Sequence, residues 1–396
     1  HNPTTRAMSR SAVAVVVALA AAAAPGCAAA TAVHLSALNI DPAAVVAAGV
    51  GDSADFAHQF HIAFAQTVSG ECVFSGQPFN CATSGFAGDS VEWHAAIAAN
   101  GGAASSKNDH CKSTPDVVDV GSLVDYPRRH CGQNPVNVPD CFDDVNYVKP
   151  SRAFLFRGTH DTTAAPGCLE AVDGLLAQMI TEPQTSVKVV RDLPFGSGVP
   201  LPSTPLYGKT AGAGYDGPGE CLRHVYSTPA MTAGNATVDR WTQYDQTEFF
   251  TKAVGFQRTG WLYVPQRCQD LNGEGPGSAP CKLLVRPGAC PASGGVDTVA
   301  PDVARFADYA EANGIVVLHP CVGGAVDKTA YPRASDVAAG RMDVYGQLDP
   351  NYVQQSAPHM AAIGAMVRRV LGAAAPRQTP IVPPPPPPVA EPRMPE

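Results

Sequence analysis

Basic charge is scarce in this chain of 396 residues: 27 Lys and Arg stand against 35 Asp and Glu, for a formal net charge of -8. That balance offers no basic patch to a phosphate backbone, and nucleic acid is not expected as a partner. Charged residues are only 16% of the total and hydrophobic ones 45%, which excludes a disordered chain and suffices for the core of one large domain or two small ones. Long apolar runs are lacking too. The stretch from Ser11 to Ala24 falls short of the roughly 18 residues that cross a bilayer, and no later segment reaches that length, so no transmembrane segment is expected. No two cysteines form a C-x-x-C pair, which leaves zinc weakly supported; no metal and no cofactor is implied. No fixed-period repeat or low-complexity linker interrupts residues 33–375, which reads as one domain.

What is abundant is glycine and proline, 37 of each, a loop-rich composition that argues against a helical bundle or coiled coil and leaves an α/β or all-β domain. Met8-Ser9-Arg10, the apolar run behind it and the small residues Cys27 to Ala32 have the order of a signal peptide. Residues 1–32 are therefore read as leader and signal, with a secreted or cell-surface mature protein. Cysteine occurs 12 times. In an exported chain these are expected in disulfides, and with Cys27 inside the leader an odd number remains, so one thiol is left over. Asn235-Ala-Thr is a glycosylation acceptor if the source is eukaryotic. Residues 376–396 form a Pro-rich tail with six consecutive prolines, Pro383 to Pro388, which hold polyproline II geometry outside any core.

Short β-rich runs, Ala43–Ala48, Ala153–Phe156, Ser186–Val190, Trp261–Val264, Leu283–Val285 and Ile315–Leu318, alternate with amphipathic stretches at Asp302–Asn313 and Met360–Leu371. That alternation predicts a mostly parallel sheet covered by helices on both faces.

Several blocks carry a family likeness: Leu38-Asn39-Ile40-Asp41-Pro42; Phe156-Arg157-Gly158-Thr159-His160-Asp161-Thr162-Thr163; Gly214-Tyr215-Asp216-Gly217; Tyr244-Asp245-Gln246; Gly260-Trp261-Leu262-Tyr263-Val264-Pro265-Gln266; Gly340-Arg-Met-Asp343; and Met360-Ala-Ala-Ile363. In order and spacing the chain from Leu38 to Leu371 resembles the extracellular poly(3-hydroxybutyrate) depolymerases of the single-domain, circularly permuted α/β-hydrolase type. The resemblance implies that fold and a Ser-His-Asp carboxylic ester hydrolase. It also makes Cys268 and Cys281 a candidate disulfide pair.

Carried over residue by residue, the resemblance implies a degenerate site. Where the family has G-L-S-S-G, this chain has Gly49-Val50-Gly51-Asp52-Ser53, which puts Gly51 at the nucleophile. Asp161 matches the catalytic acid. Val199, in Val199-Pro200-Leu201-Pro202-Ser203, falls at the histidine. The oxyanion donors would be the backbone N–H groups of Asp52 and Cys290, the latter in Pro287-Gly288-Ala289-Cys290 where the family reads L-H-G-C. Of the aromatic residues in the family's polymer-contact block only Tyr345 remains.

The first expectation is thus a secreted pseudo-hydrolase that keeps its scaffold to bind a polyester or wall polymer, with no oligomeric state assigned. A second is an active esterase using Ser53 in Gly51-Asp52-Ser53-Ala54-Asp55; the plainer reading makes Ser53 or Asp52 a helix cap. A third is a wall or matrix component acting through its Pro-rich tail. His58 and His61, three apart on the following helix, have the spacing to share a metal but read as a solvated pair, with no nearby carboxylate or cysteine to complete a set; His160 is a poor partner for adjacent Asp161, and His224 is structural.

Overall fold

The computed structural model describes residues 32–84, 111–112, 118–131, 141–207, 214–269, 279–290 and 300–372. The expected leader, apart from Ala32, and the Pro-rich tail lie outside them. Among the described residues eleven strands form two sheets: β1 (Ile40–Val50), β2 (Gly70–Phe74), β3 (Arg152–Phe156), β4 (Val187–Val190), β5 (Trp241–Asp245), β6 (Val254–Phe256), β7 (Thr259–Tyr263), β8 (Cys281–Val285), β9 (Gly288–Ala289), β10 (Ile315–His319) and β11 (Cys321–Val326). The large sheet runs β4-β3-β2-β1-β8-β10-β7-β5. Its first six strands are parallel, and β7 alone runs against both neighbours. The small sheet is β6-β11-β9. The chain therefore enters at the middle of the large sheet, steps outward to β4, and returns from the opposite edge.

Among the described residues the longer helices are α1 (Asp52–Ala63), α2 (Val120–Cys131), α3 (Pro166–Met179), α4 (Gly217–Val225), α5 (Pro301–Asn313) and α6 (Pro358–Leu371). Strand residues alternate between two separate apolar clusters. Val45 and Ala47 of β1, Leu155 of β3 and Leu283 of β8 face one, together with Phe56 of α1, Leu123 of α2, Leu175 of α3 and Ile363 of α6. Val46, Ala48, Phe154 and Leu284 face the other, with Leu222 of α4 and Phe306 of α5. A sheet buried on both faces needs apolar residues at consecutive positions, and these strands supply them.

Disulfides join Cys72–Cys221, Cys81–Cys111, Cys268–Cys281 and Cys290–Cys321, and Cys141 is also bonded. Cys168 is free and buried, its thiol facing the Cys111 carbonyl at 3.0 Å. Among the described residues no helix is long and apolar enough to cross a membrane.

Candidate functional site

The carboxyl ends of three central strands bring the site together. Beyond each strand the next amide still reaches the adjacent one: Gly51 N–H donates to the Phe74 carbonyl at 3.0 Å, Ser75 N–H to Phe156 at 2.8 Å and Arg157 N–H to Val190 at 3.0 Å. This ladder holds the loops after β1, β2 and β3 side by side at one edge of the sheet.

Gly51 is the turn from β1 into α1, with φ 56° and ψ -125°. An L side chain is strained there by about 1–3 kcal/mol and glycine is not. A Cβ on Gly51 would meet nothing within 4 Å, so space for a side chain exists and is unused. Ala54 N–H and Asp55 N–H both turn back to the Gly51 carbonyl at 2.9 Å. The amides of Asp52 and Ser53, in the first helical turn, have no carbonyl four residues earlier in the helix to bond. Gly51 itself stands at the cap position and no side chain caps α1, in contrast to the cap expected from Asp52 or Ser53.

Asp161 lies in the loop after β3. The Arg157 guanidinium gathers that loop by donating to the carbonyls of Ala164 at 2.7 Å, Gly158 at 3.0 Å and Asp161 at 2.9 Å. Asp161 Oδ1 accepts from Thr163 N–H at 2.8 Å, the Thr163 hydroxyl at 2.9 Å and the Ser197 hydroxyl at 2.5 Å. Burial pushes the Asp161 carboxyl up, but hydrogen bonds from Ser197, Ser75 and Thr163 outweigh it and hold the group below its ordinary range. Ser197 was not singled out in the sequence. It sits in Gly196-Ser197-Gly198, a loop without a motif, two residues before Val199. Val199 itself packs against the apolar cluster that contains Phe195.

These loops enclose a cleft of about 510 Å³ lined by Val50, Gly51, Asp52, Ser75, Lys112, Thr163, Ser197, Gly198 and Arg341. Asp52 is bridged across it, Oδ1 to Lys112 at 2.8 Å and Oδ2 to Arg341 at 3.2 Å. Lys112 also reaches buried Asp55 at 3.1 Å. Burial pushes the Asp55 carboxyl up to about 6 although Lys112 opposes it. The loop that delivers Arg341 is anchored by Asp343, whose buried carboxylate accepts the amides of Gly346, Gln347 and Leu348 at 2.9 Å each. Tyr345 is buried with its hydroxyl on Asp336, so it presents no ring to a polymer.

On the other side of the turn, Gly288 N–H donates to the Pro320 carbonyl at 3.1 Å and Cys290 N–H is aimed at the Val322 carbonyl at 3.5 Å. The Ser53 hydroxyl lies toward Gly288, 3.8 Å from where a Cβ on that glycine would stand, and the same point is 3.5 Å from the His319 ring. His319 is committed elsewhere: Nδ1 contacts the Arg286 carbonyl and Nε2 is 3.3 Å from Cys290 Sγ. His160 stacks on Tyr207 with ring centres 4.6 Å apart, and His224 Nε2 donates to the Ser186 carbonyl at 2.9 Å. Among the described residues no imidazole hydrogen-bonds Ser53 or the Asp161 carboxylate. Asn235 is exposed.

His58 and His61 correct the sequence reading. Both are fully buried, with Glu71 of β2 between them: His58 Nδ1 is 3.0 Å and His61 Nδ1 3.3 Å from its carboxylate, and His61 Nε2 is 2.9 Å from the Ser151 hydroxyl. The reason is that α1 is enclosed by sheet and neighbouring loops, so every residue from Ala54 to Ala63 is buried. The carboxylate comes from the parallel neighbour of β1, which spacing along α1 does not reveal.

No protein-family model matches the chain. A poly(3-hydroxybutyrate) depolymerase of Delftia acidovorans is 28% identical over 354 residues, 86% of this chain and 62% of that protein, so the chain spans less than two thirds of that relative. A polyhydroxybutyrate depolymerase of Talaromyces funiculosus is 22% identical over 304 residues, 74% of this chain and 79% of that one. Among solved structures, PHB depolymerase from Penicillium funiculosum superposes with a TM-score of 0.62 at 18% identity, over 85% of this chain and 98% of that one. A variant PHB depolymerase complexed with an R3HB trimer gives 0.61, with the same identity and coverage. By sequence the chain is similar to the poly(3-hydroxybutyrate) depolymerases, and it shares the α/β-hydrolase type of fold of those solved structures.

Proposed function

We propose that this protein is a catalytically silent, exported relative of the depolymerases that keeps their cleft to hold a short polyester segment without cutting it. The observation that carries this reading is Gly51: the turn has the geometry of a nucleophile elbow, with room for a side chain and no atom to attack with. Two further features support it. The place beside Asp161 where a triad would put an imidazole holds the Ser197 hydroxyl, and the Cys290 amide is turned to the Val322 carbonyl. Removing one triad member lowers turnover by roughly four powers of ten or more, and members lost together cost little beyond one alone. In the same reading, the mid-sheet entry of the chain at β1 is that of a circularly permuted hydrolase. Disulfides at four described pairs support an oxidising compartment.

The test is incubation of the full chain with a short-chain p-nitrophenyl ester and a fluorophosphonate probe, beside calorimetric titration with a soluble 3-hydroxybutyrate oligomer. The expected result is no covalent label, ester hydrolysis at the buffer rate, and saturable oligomer binding that weakens in Arg341→Ala. Stoichiometric labelling of Ser53 with turnover overturns the reading in favour of an active esterase. Absence of oligomer binding removes the polyester ligand.

A further inference from the structure

Beside the cleft, β9, β10 and β11 bring together three side chains that the ester-binding reading does not use. Cys290 follows β9, His319 ends β10 and Cys321 opens β11, and one ligand atom from each lies within 4.8 Å of the others. His319 is buried, and its Nδ1 rests against the Arg286 carbonyl. That contact fixes the hydrogen on Nδ1 and leaves the Nε2 lone pair facing Cys290 Sγ at 3.3 Å. A metal-bound histidine is ordinarily held in just this way, its second nitrogen donating to a backbone carbonyl. In a tetrahedral zinc site a bound nitrogen and sulfur lie about 3.5 Å apart, given metal distances of about 2.0–2.1 and 2.3 Å. The imidazole therefore already stands at ligand spacing from one sulfur.

The bond between the two cysteines also differs from its fellows. Cys72, Cys81, Cys111, Cys221, Cys268, Cys281 and Cys321 are all buried, whereas Cys290 is partly exposed. Of the four disulfides with both ends described, this is the one with a partly exposed cysteine, and accessible disulfides are the labile ones.

We propose that the Cys290–Cys321 disulfide masks a metal site: once a dithiol opens it, Cys290, Cys321 and His319 bind a divalent cation of the zinc class, with the fourth position left to water. In the first step a dithiol thiolate attacks Cys290 Sγ, and the Cys290–Cys321 bond breaks with its electron pair on Cys321. The second thiol of the reductant then closes on the mixed disulfide and releases Cys290. Two electrons and two protons pass to the protein as two thiols, and the reductant leaves as its cyclic disulfide. The cation next displaces both thiol protons and takes the Nε2 lone pair. Two thiolates and a neutral imidazole balance the dication, so the enclosed centre carries no net charge, and Cys2His with one open position is a recognised zinc arrangement.

The experiment treats the full chain anaerobically with dithiothreitol, removes the reductant, and titrates with cobalt(II), while alkylation and mass spectrometry record which cysteines are open. The expected result is one cobalt per chain, with thiolate-to-cobalt charge transfer and the intense visible bands of tetrahedral cobalt, appearing only after the Cys290–Cys321 bond is reduced. The spectrum should be lost in a Cys290→Ser/Cys321→Ser variant and lose its tetrahedral bands in His319→Ala, with His319→Gln as the second variant should alanine prevent folding. The same spectrum in the double serine variant, or none in wild-type chains whose bond is shown open, overturns the proposal.

Discussion

At the scale of single residues, the proposed reading turns on Gly51 and Ser197. A serine at 51 would find open space but would have to hold φ near +56°. Gly51→Ser should therefore fold with stability lowered by about 1–3 kcal/mol, read from its urea midpoint, and remain unlabelled by a fluorophosphonate. The hydroxyl alone is weak without a base. Gly51→Ser combined with Ser197→His, which puts an imidazole where a hydroxyl now meets Asp161 at 2.5 Å, should label and hydrolyse p-nitrophenyl ester faster than either single variant. Turnover by Gly51→Ser alone would show that a base already stands at the turn. Gly51 and Asp161 could be singled out as candidates because each sits in a short ordered block whose spacing could be compared with a family. Lys112, Ser197 and Arg341 were not: they reach the cleft from separate loops, Arg341 from 289 positions beyond the Asp52 it pairs with.

At the scale of elements, the approach of β1 to α1 sets the geometry of the cleft, and Gly49 permits it. A Cβ there would lie 2.0 Å from the Ser53 carbonyl oxygen and 2.4 Å from the Ala54 nitrogen. Both are backbone atoms, which cannot swing aside as a side chain can, so strand and helix would have to part. Gly49→Ala should lower stability by about 1–3 kcal/mol or more. Gly174→Ala, inside α3 with nothing within 4 Å of the added carbon, should raise it by about 0.5–1 kcal/mol. Denaturant midpoints of the two variants check this, and equal shifts would refute the steric account. The six apolar runs read from sequence all lie in or overlap strands of the large sheet, because a strand buried on both faces is apolar at successive positions. The strand β2 escaped notice. Its Gly70-Glu71-Cys72 start looks polar, yet all five of its residues are buried, Glu71 lying between two histidines and Cys72 tied to Cys221. The polar-looking β5 and the short strands of the small sheet escaped for related reasons, since they border loops and show no period.

For the whole molecule, the buried titratable groups set how stability follows pH, and they do not all act in one direction. Burial would raise the Glu71 carboxyl, but His58 and His61 hold it at about 2, below its unfolded value of 4.5. Its contribution is complete above that unfolded value and is lost as pH falls toward 2. Asp55 is opposite: burial lifts it from 3.8 to about 6, so its contribution is complete below 3.8 and is lost as pH rises through 6. His319 and His359 are buried neutral, brought from 6.5 to about 4, and their contribution is complete above 6.5 and is lost as pH falls through 4. Between pH 6.5 and 4 the two histidines thus outweigh Asp55, and the fold should weaken on acidification well before Glu71 takes up its proton. His359 gives the cleanest test, because its ring accepts from Asp343 N–H at 3.0 Å and donates to the Val254 carbonyl at 2.7 Å, both bonds that a neutral amide can imitate. In His359→Gln the slope of unfolding free energy against pH in that window should fall by up to about 1.4 kcal/mol per pH unit, the share of one proton. Urea unfolding at half-unit steps from pH 4 to 7 measures it. A slope identical to that of the wild type would mean that His359 does not change its proton on unfolding, and the acid sensitivity would then have to come from other groups.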